Sequence, residues 1–253
     1  MTTLDLTGLN IMVTGASRGI GRAIAKELVD CGAMVGAHYH SGQQEAEKLR
    51  SYNSDQIKIF KADLASANET EDLFNQVIKE LGSLTVVVNN AGVAFKSDLD
   101  KTTDSWLEDW HKTMAINLQA VGILSRQAVN YFKDNGGGRL INVASRAAFR
   151  GDTQDYLAYA ASKGGVVALT RSIARAFGKQ NIKAFTIAPG FVQTDMANDF
   201  IEQYGASFVY DDIALDKLTQ PEDVAHMVAF LSSGLGDHST GGTFDINAGS
   251  YVH

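Results

Sequence analysis

Cysteine, proline and basic charge are all scarce in this chain, and each shortage narrows what it can be. Cys31 is the single cysteine, so no intramolecular disulfide can form and a cysteine-based metal site is excluded. The two prolines, Pro189 and Pro221, come without any Pro/Gly/Ser-rich stretch. No boundary interrupts the 253 residues, and one domain over 1–253 is expected. No apolar run approaches the roughly 20 residues that cross a bilayer. Acidic residues outnumber basic ones, 29 to 22, for a net charge of −7, which argues against nonspecific binding to nucleic acid or to an anionic membrane. The opening residues Met1 to Asp5 lack a basic region followed by an apolar stretch, so a reducing, cytoplasmic setting is expected. The six histidines show no ligand-like pairing, and no metal site is expected.

What the chain does contain is alternation. Short apolar runs at Asn10–Val13, Met34–Tyr39, Ile57–Phe60, Leu84–Asn89, Arg139–Val143, Ile182–Ile187 and Thr243–Ile246 have the length and content of strands. Between them, helical periodicity covers Gly19–Cys31, Glu69–Leu81, Trp106–Lys133, Tyr156–Phe177 and Pro221–Leu231. Pro221, followed by Glu222 and Asp223, suits a first helical turn, where a missing N–H costs little and negative charge is favoured. Strand–helix alternation of this kind specifies an α/β fold, a parallel sheet with helices on both faces and right-handed crossovers.

The first strand runs into Thr14-Gly15-Ala16-Ser17-Arg18-Gly19-Ile20-Gly21, and a helix follows at once. Glycine there lets the chain turn sharply and bring backbone N–H groups up to a pyrophosphate at the helix N-terminus. The spacing is G-x-x-x-G-x-G. A dinucleotide site that prefers the unphosphorylated cofactor places an acidic residue about 20 positions further on, at the ribose hydroxyls. Here the second strand ends in Ala37-His38-Tyr39-His40-Ser41-Gly42, with no acid between Asp30 and Glu45. Arg18 offers forked donors to a 2′-phosphate, and His40 and Ser41 add further donors. The expected cofactor is NADP(H) rather than NAD(H).

Tyr159-Ala160-Ala161-Ser162-Lys163 falls in a helical stretch, so Tyr159 and Lys163 share one face. A tyrosine titrates near 10, and a neighbouring ammonium favours its phenolate. Such a pair can give a proton to a forming alkoxide or take one from an alcohol. Ser145 follows the apolar strand Leu140-Ile141-Asn142-Val143, at the carboxyl end where ligands bind in such sheets, and its hydroxyl can hold a carbonyl oxygen. Asn117 interrupts the apolar run Met114 to Leu118; a buried amide there is either a structural bond or a link in a proton relay. Asn89-Asn90-Ala91-Gly92 closes the fourth strand on the same crevice.

Six motifs in order, T-G-x-x-x-G-x-G at 14–21, N-N-A-G at 89–92, Asn117, Ser145, Y-x-x-x-K at 159–163 and P-G-x-V-x-T at 189–194, make the chain resemble the short-chain dehydrogenase/reductase family over essentially its whole length. The resemblance implies a single-domain Rossmann fold, a doubly wound seven-stranded sheet in the order 3-2-1-4-5-6-7. It implies Tyr159 as general acid/base, Lys163 lowering its pKa and binding the nicotinamide ribose, Ser145 orienting substrate and Asn117 holding a relay water. Cofactor contacts are implied for Gly15, Ser17, Arg18, Gly19, Ile20 and Gly21 in the first loop, and for His40 and Ser41 after the second strand. Asp63 and Leu64 are implied at adenine, Asn89, Ala91 and Gly92 after the fourth strand, and Pro189, Gly190, Val192 and Thr194 around the nicotinamide amide, with Tyr159 and Lys163. One departure stands out: Tyr159 follows Ser145 by fourteen positions, one more than the family pattern, which puts an extra residue in the Arg150–Asp155 loop.

Within the family the chain resembles the 3-oxoacyl-carrier-protein reductases and the generic ketoreductases that look like them, so a 3-oxoacyl thioester, on an acyl carrier protein or free, is one expected substrate. An acidic carrier protein needs a basic docking patch, for which Lys133, Arg139, Lys179 and Lys183 are the candidates. A sugar or polyol dehydrogenase is the alternative, and an NADP-sensing regulator without catalysis is the alternative of another class. A methyltransferase would use a Gly-rich turn but not the Tyr159–Lys163 pair. The segment Phe191–Lys217, rich in Phe, Tyr and Asp, is expected to close over the substrate. The family habit implies a homotetramer built on two long helices, near 104–134 and 155–178.

Overall fold

The computed structural model describes residues 4–194, 200–202 and 205–252. Seven strands form one parallel sheet: β1 (Asn10–Val13), β2 (Met34–Tyr39), β3 (Ile57–Lys61), β4 (Val86–Asn89), β5 (Gly138–Val143), β6 (Ile182–Pro189) and β7 (Thr243–Ile246). Their order is β3-β2-β1-β4-β5-β6-β7, as the family resemblance implies. β1 pairs with β2 on one side and β4 on the other, Val13 lying opposite both Ala37 and Val88. The direction of winding therefore reverses between β1 and β4, and that reversal opens a crevice beyond their carboxyl ends.

Side chains alternate across the sheet and build a core on each face. Ile11, Val13, Val86, Val88 and Ile141 pack beneath α1 (Gly19–Asp30). Met12, Val87 and Leu140 face the opposite way, into a second cluster with Leu73 and Val77 of α3 (Ala67–Leu81). α2 (Gln43–Tyr52), between β2 and β3, was not legible in the sequence: of its ten residues only Ala46 and Leu49 are buried, too few for a periodic stripe.

The helical pattern Trp106–Lys133 is one rod with an opened middle. α4 (Thr103–Met114) passes into a π-helical turn over Ala115–Gln119 and then α5 (Ala120–Asp134). Single π turns inside α-helices are rare and cluster at functional positions; this one carries Asn117 at its centre. After β5 come the short α6 (Ala147–Arg150), a 3₁₀ turn over Gln154–Tyr156, and α7 (Leu157–Phe177). Beyond β6, α8 (Ala206–Tyr210) lies in the long connection, and α9 (Pro221–Ser232) opens with a capping box between Gln220 and Asp223. α9 packs on the same face as α1, with Val224, Val228 and Leu231 in the first cluster. No helix among the described residues is long and apolar enough to cross a membrane.

Candidate functional site

The crevice beyond the strand ends is a cleft of about 350 Å³. The glycine loop enters it from β1 and is sewn to the end of β4. Asn90 and Ala91 each donate a backbone N–H to Thr14 Oγ1 at 3.0 Å, and Asn90 Nδ2 donates to the Thr14 and Gly15 carbonyls at 2.9 and 3.2 Å. Two glycines are sterically obligatory. A Cβ on Gly21 would stand 2.2 Å from the Gly15 carbonyl oxygen, and one on Gly15, whose φ is +64°, would meet Ala91 Cα at 2.9 Å. The loop ends at the N-terminus of α1, whose first turn carries no acidic residue and whose N-cap position is Arg18.

Beside this loop the structure gathers Ser17, Arg18, His40, Ser41 and Asp63. A Cβ on Gly42 would touch Ser17 Oγ at 3.2 Å, and His40 Nε2 lies 3.9 Å from Asp63 Oδ2. Asp63 does not cap α3; Ser66 does, accepting from the Glu69 N–H at 3.3 Å, while Asp63 turns back on the Ala65 N–H. Leu64 is buried in the second core cluster. His38, which sequence reasoning passed over, is buried in β2; its Nδ1 accepts the Gly15 N–H at 3.1 Å and its Nε2 lies 3.1 Å from the Ala62 carbonyl. Since the backbone N–H must donate, Nδ1 accepts and the proton sits on Nε2. Burial pulls this imidazole down to about 4, so it is neutral at ordinary pH.

Ser145, Tyr159 and Lys163 meet on the far side of the cleft, with Gly92, Pro189, Gly190, Val192 and Thr194 along its walls and Ile20 at its mouth. Ser145 Oγ accepts the Ala147 N–H at 3.1 Å, which leaves its O–H to donate. That hydroxyl faces the same cleft as the Tyr159 phenol and favours its phenolate. Burial pushes the phenol above its ordinary 10; the Ser145 hydroxyl and the Arg146 charge pull it back, and Asp152 adds to the rise. Lys163 is buried, donates to the Val143 carbonyl at 2.9 Å, and desolvation brings its ammonium down to about 8. Its Nζ is 5.7 Å from the centre of the Tyr159 ring, and a Cβ on Gly92 would come within 3.2 Å of it. Thr194 reaches across to Gly19, where a Cβ would meet its Cγ2 at 3.2 Å.

Asn117 uses its whole amide inside the protein. Nδ2 donates to the Val93 carbonyl at 2.8 Å and to Ser162 Oγ at 3.1 Å, and Oδ1 accepts the Val93 N–H at 2.8 Å. Of the two readings open from sequence, the side chain makes the structural bonds. Asn89 likewise turns away from the cleft. It donates to Asn142 Oδ1 at 2.8 Å, and Asn142 donates on to Thr170 Oγ1 of α7 at 2.8 Å.

The cleft also holds residues that no motif marked. Arg146, next to Ser145, is buried; it stacks on Phe191 at 4.4 Å and pairs with Asp212, to which Arg150 also bonds at 2.8 and 2.9 Å. Phe191, Phe200 and Phe208 form the apolar wall, with ring centres 5.7 and 6.2 Å from Phe191. The described part of the segment Phe191–Lys217 thus borders the cleft, while residues 195–199 and 203–204 of it lie outside the described residues. The basic candidates for a docking patch do not flank it. Arg139 and Lys183 stand at the opposite ends of β5 and β6, roughly 20 Å away at 3.3 Å per residue, and both hold Asp237, at 2.7 and 3.2 Å. Lys133 sits over the Phe177 ring at 4.6 Å.

A family model described as enoyl-(acyl carrier protein) reductase matches residues 15–251. A 3-oxoacyl-[acyl-carrier-protein] reductase of Rickettsia conorii is 36% identical over 249 residues, 97% of this chain and 98% of the relative. The reductase of the same name from Haemophilus influenzae is 32% identical over 98% of this chain and 100% of its own length. Among solved structures, a short chain dehydrogenase of Burkholderia cenocepacia in complex with NADP superposes with a TM-score of 0.89 at 30% identity, covering 97% of this chain and 98% of that one. With the sheet order and the six motifs, these matches place the chain in the short-chain dehydrogenase/reductase family of oxidoreductases.

Proposed function

We propose that the chain is an NADP(H)-dependent oxidoreductase that interconverts a ketone and a secondary alcohol. The observation that carries this is the meeting of Tyr159, Ser145 and Lys163 in one cleft that the glycine loop also enters. The loop suits a dinucleotide: glycine at 15 and 21 lets its backbone fold tightly against Ala91 and on itself, and the acid-free start of α1 favours an anion. Gly15, Ser17, Gly19, Ile20 and Gly21 would hold the pyrophosphate, and Arg18, His40 and Ser41 a 2′-phosphate. Asp63 and the Leu64 backbone would lie at adenine, Ala91 and Gly92 beside the ribose with Lys163, and Pro189, Gly190, Val192 and Thr194 at the nicotinamide. Asn89 contributes through the backbone, since its side chain is committed to Asn142. When bound, the nicotinamide supplies or accepts the hydride.

The chain's own part is proton transfer and orientation. Ser145, its oxygen fixed by the Ala147 N–H, holds the substrate oxygen beside the phenol. A phenol pushed above 10 keeps its proton at neutral pH and donates it as the carbonyl oxygen gains charge. Asn117 is a positioning residue that ties Val93, two residues past Ala91, to Ser162 beside Lys163. The relatives' names favour a 3-oxoacyl thioester as substrate and an acyl carrier protein as its bearer; the alternative is a sugar or polyol, toward which the charged wall at Asp152 points. A cytoplasmic homotetramer formed through α4–α5 and α7 completes the reading. The test follows loss of NADPH, with NADH in parallel, against acetoacetyl thioesters, ketones and sugars. Tyr159→Phe is expected to lose about 10²- to 10⁴-fold in kcat while still binding the cofactor, and near-normal turnover in that variant refutes the assignment.

A further inference from the structure

Between Ser145 and Tyr159 the cleft wall carries charge that proton transfer does not use. Gly151, at φ +80°, turns the chain out of α6 and sets Asp152 and Thr153 into the wall alongside both residues. The Thr153 N–H donates to Asp152 Oδ1 at 2.8 Å and so fixes the carboxylate. Arg146 and Arg150 stand close by, but their hydrogen bonds go to Asp212, and Asp152 forms no ion pair within 4 Å among the described residues. Thr153 Oγ1 is buried without a hydrogen-bond partner among the described residues. Asp152 is exposed where it lines the cleft, so its carboxylate, held by the Thr153 N–H and in no ion pair among the described residues, is open to accept from a polar group of a ligand in place of water.

We infer that Asp152, with Thr153 beside it, forms a subsite that accepts a hydrogen bond from a hydroxyl group of the substrate, so that hydroxyketones and the corresponding diols are the favoured substrates. The inference rests on the proposed ketone–alcohol reaction in the same cleft. Local charge selects a neutral donor. Arg146 and Arg150 balance Asp152 and Asp212, so an ammonium or a carboxylate on the substrate would add an unmatched charge. An acyl chain of methylenes would strip water from Asp152 and return nothing, whereas a hydroxyl replaces that water.

The test compares two ketones that differ by one hydroxyl, 1-hydroxy-2-butanone and 2-butanone, with NADPH or NADH, in the wild-type chain and in Asp152→Ala and Asp152→Asn. The quantity read is the ratio of kcat/KM for the two ketones; dividing the wild-type ratio by that of Asp152→Ala removes the ketones' intrinsic difference in reactivity. A charge-assisted bond to the hydroxyl makes that quotient about tenfold or more, expressed mainly in KM, with Asp152→Asn retaining part of it through its amide oxygen. The diol should also inhibit more tightly than 2-butanol in the wild type, and no longer so in Asp152→Ala. A ratio unchanged by Asp152→Ala overturns the subsite and leaves the ketone reaction standing. Absence of cofactor consumption with either ketone and with acetoacetyl thioesters overturns the reaction, and the subsite with it.

Discussion

Asp212 is the residue whose removal the structure predicts most sharply. It is the shared partner of Arg146 and Arg150, and it lies in the connection that follows α8, 66 positions along the chain from Arg146. The Arg146 side chain is only 9% exposed, against 37% for Arg150. Breaking a buried ion pair by deleting one partner costs about 3–5 kcal/mol, because a charge is left desolvated; an exposed pair contributes about 0–1 kcal/mol. Asp212 is itself 28% exposed, and the negative charge of Asp152 acts on Arg146 as well, so water and a second anion soften the loss. Asp212→Ala is therefore expected to cost about 2–3 kcal/mol in urea denaturation, with faster hydrogen exchange over residues 205–217. Arg150→Ala, which leaves the buried guanidinium paired, is expected to cost less than about 1 kcal/mol. Equal, small effects in both variants would refute the idea that a buried charge holds this connection against the cleft.

Three further perturbations are as direct. Gly21→Ala places a methyl 2.2 Å from the Gly15 carbonyl oxygen; an overpacking cost of about 1–3 kcal/mol weakens dinucleotide binding by at least about tenfold in calorimetric titration, and normal affinity would show that the loop moves freely. His38→Ala removes the acceptor of the Gly15 N–H and the donor to Ala62, each orphaned group costing about 1–3 kcal/mol; cofactor affinity falls together with stability, and a loss of neither would reduce His38 to filler. Lys163 titrates at about 8 in the folded chain against 10.5 ordinarily, so between these values the unfolded chain holds the proton that the folded one has lost. Its burial penalty is complete below pH 8 and fades toward 10.5, so the stability of wild type relative to Lys163→Met rises by about 2 kcal/mol from pH 7.5 to 9.5. A difference flat in pH would mean that Lys163 keeps its charge when buried.

The fold was legible because a two-sided parallel sheet repeats its signature. Each strand needs apolar residues on both faces, as in Val86-Val87-Val88, and each is followed by an amphipathic run. The errors fall where that logic does not operate. Leu84 precedes β4 although it is buried, because burial alone does not pair a residue, whereas Thr85, just ahead of the strand, already bonds Asn10 and Arg139 through its backbone at 2.9 and 3.0 Å. Pro189 ends β6 although it cannot donate a bond; its carbonyl accepts from the Arg146 N–H at 3.0 Å, which joins the end of β6 to the Ser145 turn. The π turn at Ala115–Gln119 has no signature in apolar spacing, and Asn117 alone hinted that something interrupts the helix.

The site divides in the same way, between what spacing encodes and what tertiary contact creates. Glycines and the Tyr159–Lys163 step are local patterns, so sequence located them. The tuning of Tyr159 is not local. Spacing on α7 suggests that Lys163 draws the phenol pKa down, yet its Nζ is 5.7 Å from the ring centre and directed at the Val143 carbonyl, and desolvation lowers its own pKa. What opposes the burial of Tyr159 is first the Ser145 hydroxyl and then the Arg146 charge, both at the end of β5 rather than on the helix. In the proposed reaction Ser145 thereby would have two tasks, holding a substrate oxygen and stabilising the phenolate left when Tyr159 gives up its proton. Arg146 is buried against its partner Asp212, so the charge that offsets the burial of Tyr159 is held by a carboxylate from another part of the chain. A motif that names Ser, Tyr and Lys records the groups that meet in the cleft but not the ion pair beside them.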